Sequence, residues 1–483
     1  MRWHKGFAPV VMRRVALLAP ARSTRTVLVE AADVGALQFD SAARLDGGAQ
    51  PESPAAQDDG EGPATLRLRQ RRAPVTAPQL SAEPPDLDWC EANGRIDLIT
   101  GEARLEAVAS TGVRHHDVVG FLGWSPANQV AAMQERVAPA GGAVVTLRRP
   151  AHLQPPTLIA ADSPGHAFTP LVRAYATPPY RDVDPSLLSG ITYVAMFGMM
   201  FADLGHGALL LAAALYLRVA RRRRLEKLRS AWIFLAGAGL ASMLFGVLYG
   251  EFFGPTRVVR VIWLAPLDEP VPLLLAAVAI GAGLLAIAYG VGIVNRFREG
   301  GWRLAAYAPS GVAGAGTFLG LGLISAGVYG KLTPVTVGGI CLVVVCASLV
   351  ATGFFVEAGG GGVGVAQAGI ELLDLVLRIG SNVVSFARLA AFGLTHAALG
   401  QVVWQATTGS ARHGVIGVIA AALIFAVGNA LTFALEALIA AIQALRLEYY
   451  ELFSRIFLTE GEPFHPWALP VVRADVVKSS VEA

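Results

Sequence analysis

One arginine, Arg388, lies inside an otherwise apolar run that extends from Ser381 to Gly400. A cation at the depth of a bilayer costs roughly 2.5 to 3.5 kcal/mol on insertion scales, so an arginine in such a run is by default a functional candidate. Its charge requires an acidic partner or water. The first question that the sequence raises is therefore which carboxylate could lie close to this guanidinium.

Three further polar side chains share the last two apolar blocks with Arg388. His396 follows it by eight residues, which places the two within about 80° around a helix and roughly 12 Å apart along it. Glu436 and Arg446 are ten residues apart, about 15 Å along a helix and close to the same face. The residues between them are mostly alanine, leucine and isoleucine, which cannot solvate a charge. Water or a carboxylate from a partner would have to do so.

Each of these residues also has a purely structural interpretation. Arg388 could pair with Glu436 only to hold two helices together, and Arg446 could extend its charge to the membrane surface from the end of its helix. His396 could be a hydrogen-bond donor between helices. Asp203 and His206 could stabilise a turn or act as a proton station. The residues alone leave these alternatives open.

The composition divides the chain into a soluble region and a membrane region. It has 483 residues, 54% hydrophobic and 16% charged, with a mean hydropathy of +0.52, against roughly 25% charged residues in soluble proteins. The net charge of +3 is small and its basic residues cluster beside apolar blocks, so we expect no nucleic-acid binding. No zinc spacing relates the three cysteines and no phosphate-binding loop occurs, so the sequence predicts neither a metal nor a cofactor.

Seven apolar blocks predict eight membrane helices, because the first block reads as a hairpin of two short helices broken near Gly205 to Gly207. The basic loop from Arg218 to Arg229 marks the cytoplasmic side, and the later loops alternate consistently with both termini inside. No apolar signal segment precedes Arg13. The last two blocks exceed the roughly 20 residues needed to span a bilayer, so we expect them to tilt. The blocks are 187–218, 230–253, 271–294, 302–328, 333–357, 366–404 and 412–457.

The soluble part predicts a small α+β domain that lies in the cytoplasm. Residues 1–45 and 86–155 form this domain. It contains a second β-α-β unit, in which Ser125 is predicted to be the N-cap of the helix and Pro126 its first residue. Residues 46–85 have too little apolar content for a core and read as a flexible linker. A proline-rich connector at 156–186 leads to the membrane domain at 187–457, and residues 458–483 read as a cytoplasmic tail.

Four motifs in order resemble the membrane subunit of V-type and A-type rotary ATPases, called subunit a or I. The resemblance covers residues 118 to 467, and Arg13 and Arg14 also resemble the start of that family. The family usually has a long antiparallel coiled coil in its cytoplasmic arm, whereas this chain has no heptad pattern, so the resemblance implies a shortened arm. The motifs are Phe197 to Gly207, Leu244 to Gly254, Ser381 to Leu389, and Ala444 to Glu451 with Pro463-Phe464.

This resemblance implies a stator subunit that faces a rotating ring of small proteolipid subunits. Each ring subunit presents one carboxylate, which two aqueous half-channels load and unload. By similarity Arg388 faces the ring, favours the ionised carboxylate and blocks leakage, a role that suits a side chain that cannot be deprotonated. By the same resemblance Arg446 matches the family's second functional arginine and Glu436 matches its half-channel acid. His396 matches a histidine on the same surface that faces the ring. The remaining candidates, for a half-channel or a structural role, are Asp203, His206, Asp374, Gln443 and Glu448. Gln443 and Glu448 stand where the family often has histidines.

The function expected from the resemblance is ATP-coupled proton translocation, with sodium as the alternative ion. The chain itself would not be an enzyme, since ATP hydrolysis would occur on other subunits. Its partners would be the ring, the peripheral stalk with the other rotary ATPase subunits, and the lipid bilayer. Two other hypotheses stay open: a stand-alone transporter or channel, and a non-pumping paralogue that scaffolds membrane assembly.

Overall fold

The computed structural model describes residues 9–40, 62–71, 77–150, 153–160, 163, 165–220, 229, 231–457 and 459–473. These residues divide into two units. One contains Pro9–Leu158 and the described part of Gly461–Ala483, and the other is Ile159–Glu460. The first unit holds the sheet, and the second holds the long apolar helices.

An antiparallel sheet forms the centre of the first unit. Its longest strands, β1 (Met12–Pro20) and β5 (Val118–Pro126), pair over their whole length. The sheet order is β2 (Gln38–Phe39), β5, β1 and β6 (Ala143–Leu147), and β4 (Val113–His115) also pairs with β5, on the edge opposite β1. Alternating buried side chains of β1, among them Val15 and Leu17, pack against the helices that cover the sheet. The other elements are α1 (Thr24–Val34), β2 (Gln38–Phe39), α2 (Pro63–Arg71), β3 (Leu80–Ser81), α3 (Leu87–Ala92), α4 (Ile96–Ser110), β4 (Val113–His115), α5 (Val130–Val137), β6 (Ala143–Leu147) and β7 (Val471–Val472).

The predicted helix start at Ser125 and Pro126 is wrong, because both residues continue the strand. Pro126 lies opposite Met12 at the end of the β1–β5 pair, where a missing N–H disturbs the ladder least. The helix begins only at Val130.

Part of the predicted flexible linker is helical in the structure. Residues 63–71 form α2, and the carboxylate of Glu106 accepts hydrogen bonds from the backbone of Ala64 and Thr65, each at 3.2 Å. Buried Ala64 packs in a small cluster with Cys90 and Leu98. These contacts come from α3 and α4, two helices that were not predicted from the sequence. Residues 46–61 and 72–76 lie outside the described part of the chain.

The described part of the predicted C-terminal tail also differs, because residues 461–473 fold with the first unit. The indole Nε1 of Trp467 donates to the carbonyl of Leu28 at 3.1 Å, and its backbone N–H donates to Leu37 at 2.7 Å. Strand β7 then pairs in parallel with β3. An aromatic residue and two valines far from the sheet in sequence therefore complete this unit.

The second unit is helical, and its described residues contain six helical segments that are long and apolar enough to cross a membrane, with α13 (Gly361–Ser385) and α14 (Ala387–Ser410) counted together as one segment, Gly361–Ser410. Two shorter apolar helices, α7 (Ser186–Met200) and α8 (Leu204–Val219), precede them. The others are α9 (Trp232–Tyr249), α10 (Pro270–Tyr307), α11 (Val312–Tyr329), α12 (Thr333–Glu357), α13 (Gly361–Ser385), α14 (Ala387–Ser410) and α15 (Gly414–Leu447); a short helix, α6 (Thr169–Arg173), lies before α7.

The predicted break near Gly205 to Gly207 is wrong by a few residues. The chain leaves the helix at Phe201, and Asp203 caps α8 by accepting a hydrogen bond from the backbone N–H of His206 at 2.8 Å. Aspartate is a preferred cap because it satisfies a backbone donor that has no partner inside the helix. The break therefore lies where the acid is, and both glycines belong to α8.

The boundaries of the predicted spans at 271–294 and 302–328 also differ. Helix α10 continues to Tyr307, and Gly301 interrupts its regular geometry with a φ of 70°. Residues 302 to 307 thus extend the preceding helix, and the next one begins at Val312.

The two overlong predicted blocks correspond to two nearly continuous helical stretches, Gly361–Ser410 and Gly414–Ile456. Phe386 separates α13 from α14, and its buried ring lies where a side chain at Gly281 would collide with it. After α15 the chain makes a π-helical turn over Glu448–Phe453. A backbone carbonyl near its end, that of Ile456, accepts from Asn295 of α10 at 3.4 Å.

Candidate functional site

Arg388 lies at the first turn of α14 and keeps only neutral hydrogen-bond partners. Its guanidinium donates to the side-chain oxygen of Gln443 on α15 at 3.3 Å and to the hydroxyl of Ser385 at 3.4 Å. No acidic oxygen lies within 4 Å of it among the residues that the structure describes. The side chain is partly exposed. Arg388 and Glu436 therefore form no ion pair in the structure.

Glu436 contacts a different residue of the predicted ladder, His396. Its carboxylate makes a close hydrogen bond to the Nδ1 of His396, and both side chains are buried. This contact joins α14 to α15 two turns from Arg388, because eight residues advance roughly 12 Å along a helix. If the imidazole is neutral, the Nδ1 proton faces Glu436 and the Nε2 atom presents a lone pair.

Asp203 and His206 lie against the same pair, which the sequence did not predict. Asp203 Oδ2 is 4.0 Å from His396 Nε2, and Asp203 Oδ1 is 3.6 Å from His206 Nδ1. The second oxygen of Asp203 also accepts a hydrogen bond from the backbone N–H of Gly254 at 2.7 Å. All three side chains are buried. We call Asp203, His206, His396 and Glu436 the buried polar cluster.

Aromatic rings pack against the two histidines of this cluster. Phe201 lies edge-on to His396 at 5.0 Å between ring centroids, and Phe253 lies edge-on to His206 at 5.2 Å. Phe433 contacts the ring of His206 at 5.7 Å. The polar atoms of the cluster consequently have few partners, and the imidazole Nε2 of His396 has no hydrogen-bond partner.

An open cleft of about 770 Å³ lies next to the cluster. It is formed by the 249–268 segment and by the polar end of α14, where Gln401, Gln405 and Thr408 line it. Glu251 also lines the cleft, although its side chain is almost fully buried and one of its carboxyl oxygens has no hydrogen-bond partner. The backbone carbonyl of Glu251 accepts from Leu204, the first residue of α8. Polar groups therefore extend from the cleft towards the cluster.

Glu251 was not predicted to be a site residue, although it lies in the motif from Leu244 to Gly254. Two signals could have identified it: it is an acid at the end of an apolar block, and it is followed by a glycine three residues later. Its proximity to the cluster depends on how the loop folds back over α8, which no local pattern encodes.

The other predicted residues lie apart from the buried polar cluster. Arg446 is exposed, and Glu448 is buried and accepts a hydrogen bond from the hydroxyl of Thr192 at 2.7 Å. Asp374 is exposed and pairs with Arg378 one turn away on α13. Of these candidates, among the described residues, only Gln443 forms a hydrogen bond with Arg388.

A second polar group, also missed from the sequence, lies one turn beyond Glu448. With its amide oriented to satisfy both neighbours, Asn382 donates to the carboxylate of Glu451 at 3.1 Å and accepts from Arg455 at 3.2 Å. The guanidinium of Arg455 lies over the ring of Tyr289, 5.4 Å from its centroid. Asn382 falls within the motif quoted around Arg388, so its position beside that arginine was the available signal.

Known proteins match the same segments that carry these residues. A family model described as the V-type ATPase 116kDa subunit family matches residues 112–263 and 360–469, more than half of the chain. These ranges include Asp203, Glu251, Arg388 and Glu436.

Individual relatives support the same assignment. The chain is 26% identical over 394 residues to the A-type ATP synthase subunit I of Thermococcus kodakarensis, covering 77% of this chain and 57% of that protein. It is 27% identical to the corresponding subunit of Halobacterium salinarum, covering 65% and 51%. A shorter stretch of 108 residues is 38% identical to the V-type proton ATPase subunit a1 of Arabidopsis thaliana, covering 20% of this chain and 13% of that protein.

The chain spans about half the length of the archaeal relatives that it matches. Together with these relatives, the six long apolar helices indicate a multi-pass membrane protein. The chain belongs to the V-type ATPase 116kDa subunit family.

Proposed function

We propose that this chain is the stator membrane subunit of a V-type or A-type rotary ATPase, and that it moves protons between two half-channels past a rotating ring. ATP would be hydrolysed on other subunits of the complex. The observation that carries the proposal is the exposure of the Arg388 guanidinium and the identity of its hydrogen-bond partners. Its guanidinium is partly exposed and bound only by neutral side chains within the described residues, so its charge is available to a carboxylate of another subunit.

The first half-channel would begin at the cleft formed by the 249–268 segment and the end of α14. From there the polar groups continue through Glu251 to the buried polar cluster, which lies about two turns of α14 from Arg388. Water in the cleft would hydrate the outer groups, and the His396–Glu436 pair would pass a proton towards the ring carboxylate. Arg388 would then favour the ionised carboxylate and prevent protons from passing directly to the other half-channel.

The second half-channel would use the polar groups near the end of α15. Arg446 is exposed there, and the group formed by Asn382, Glu451 and Arg455 lies within two to three turns of it. Gln443 and Glu448 replace histidines that are frequent in the family, so water would carry more of the proton transfer on this side. Glu448 and Asp374 would have structural roles, since each is held by a neighbour within the chain.

The proposed topology has eight membrane helices, which are the six long spans and the α7–α8 pair as a hairpin. The basic residues 218–229 would lie on the cytoplasmic side, and both termini would be cytoplasmic. The cleft segment then faces the opposite side. The partners would be the proteolipid ring, the lipid bilayer and the remaining subunits, and the first unit would contact the peripheral stalk.

A site-specific photo-cross-link tests whether another subunit lies against Arg388. Val384, one turn before it, is 68% exposed, so Val384→p-benzoyl-phenylalanine in native membranes should capture a small subunit that carries a membrane carboxylate. Val345, 59% exposed on α12, provides the matched control and should not capture that subunit. Mass spectrometry identifies the adducts. Adducts with lipid alone at Val384 would favour a stand-alone transporter and would contradict the proposal.

A further inference from the structure

We propose that the buried polar cluster binds a transition-metal ion, with Zn²⁺ as the expected ion, through Asp203, His206 and His396. Each of these side chains offers one ligand atom, and the three atoms lie within 4.8 Å of one another. Two imidazoles with one carboxylate are typical of zinc and its neighbours, whereas Ca²⁺ and Mg²⁺ prefer oxygen ligands.

The distances between the ligand atoms are close to those of a zinc site. Metal bonds of about 2.1 Å in tetrahedral geometry separate neighbouring ligands by about 3.4 Å. The observed separations are 3.6 Å between Asp203 Oδ1 and His206 Nδ1 and 4.0 Å between Asp203 Oδ2 and His396 Nε2, and one ligand atom from each residue lies within 4.8 Å of the others. Side-chain movements of about 1 to 1.5 Å would complete the coordination.

Unpartnered nitrogen atoms supply the independent evidence for a ligand. The Nε2 atom of His396 and both ring nitrogens of His206 have no hydrogen-bond partner, although these side chains are 2% and 1% exposed. A buried polar atom without a partner is costly and rare in folded proteins. An ion between the two rings would give a partner to one nitrogen of each ring.

Glu436 has the position that supporting carboxylates take in zinc proteins. Its bond to Nδ1 of His396 fixes the tautomer in which Nε2 is free to bind a metal, an arrangement that raises the basicity of the ligand. With Asp203 and Glu436 ionised, the two carboxylates also balance the double charge of the ion. The cleft beside Glu251 provides a route for the ion from the water phase.

A bound ion would have a consequence for transport, and only this consequence rests on the proposed function. It would occupy Nε2 of His396 and an oxygen of Asp203, the atoms through which a proton would pass. Zn²⁺ from the cleft side would then block the path. Binding itself requires neither a ring nor pumping.

The test measures binding of Zn²⁺ to the purified full-length chain without a polyhistidine tag. Equilibrium dialysis with metal analysis should give one ion per chain, and His206→Gln or His396→Gln should weaken binding at least about ten-fold. His413→Gln provides the matched control, since His413 is exposed in the turn before α15 and should leave binding unchanged. Equal binding by all three variants, or no stoichiometric binding by the wild-type chain, would overturn the proposal.

X-ray absorption of the wild-type complex with Zn²⁺ gives a second result that does not depend on the folding of a variant. Nitrogen and oxygen ligands at about 2.0 to 2.2 Å without sulfur are expected. A spectrum with sulfur ligands, or one that lacks the outer-shell scattering of imidazole rings, would contradict the assignment. Because neither measurement uses ATP or the ring, a failure here is distinct from a failure of the proposed function.

Discussion

Arg388 combines a permanent charge with neutral partners inside its own chain. Ser385 and Gln443 hold the guanidinium in place without neutralising it, and Glu436 on α15 is engaged by His396. An arginine arranged in this way favours an ionised carboxylate that approaches from outside the chain. The same pairing leaves Glu436 and His396 free to exchange a proton between themselves.

Glu436→Gln should slow proton pumping about ten-fold or more without loss of assembly. Glutamine keeps the size of the side chain and can accept from Nδ1 of His396, but it cannot take up a proton in the relevant pH range. ATP-driven acidification of membrane vesicles measures the rate, and co-purification of the complex measures assembly. Glu357→Gln, at an exposed position at the end of α12, is the control. Loss of assembly instead would show that the pair is structural.

At single residues, the sequence offered candidate side chains but did not predict which of them contact one another. The apolar surroundings of Arg388, His396 and Glu436 made them candidates, because a polar group in such a run has a high cost. Their pairing depends on the register between α14 and α15, which the spacing within each helix does not determine. Asp203 and His206 lie on a different helix, so their contact with His396 had no local signal.

Among the helical elements, two glycines bring the cleft segment against α14. Gly254 has a φ of +90°, and a side chain there would come within 2.9 Å of the backbone of Gly400. The backbone N–H of Gly254 also donates to Asp203, the cap of α8. This close approach holds α8, the cleft segment and α14 together around the buried polar cluster.

Gly254→Ala should therefore destabilise the membrane unit by roughly 1 to 3 kcal/mol, because alanine is strained at this φ and would collide with Gly400. Thermal unfolding of the purified chain measures the effect as a lower midpoint. Gly283→Ala is the matched control, since a side chain at that position in α10 meets no atom within 4 Å. An equal midpoint for both variants would contradict this account of the packing.

The lengths of the apolar blocks predicted the long helices well, but their boundaries less well. The break ends at Asp203 rather than at the nearby glycines because capping chemistry, not flexibility, determines where α8 begins. Helices α2, α3 and α4 were missed because their apolar residues, such as Ala64 and Leu98, form a core only where the three helices meet. The π-helical turn after α15 has no pattern in the hydropathy that would indicate it.

At the scale of the whole molecule, the chain contains two units of different character. The first was predicted as α+β from strand and turn patterns, but its completion by Trp467 and β7 was not, because those residues follow the membrane region by sequence. The helical unit contains the residues that the family model matches around Arg388. The function proposed for the chain belongs to an assembly, since the expected partner of Arg388 lies on another subunit.

Arg388→Ala is the most direct test of this account, measured as ATP-driven acidification of inverted membrane vesicles that carry the assembled complex. Arg412→Ala is the matched control, because Arg412 is an exposed arginine in the turn between α14 and α15. We expect acidification to be abolished by Arg388→Ala and retained by Arg412→Ala, with both complexes assembled. Unchanged acidification with Arg388→Ala would contradict the role proposed for this arginine.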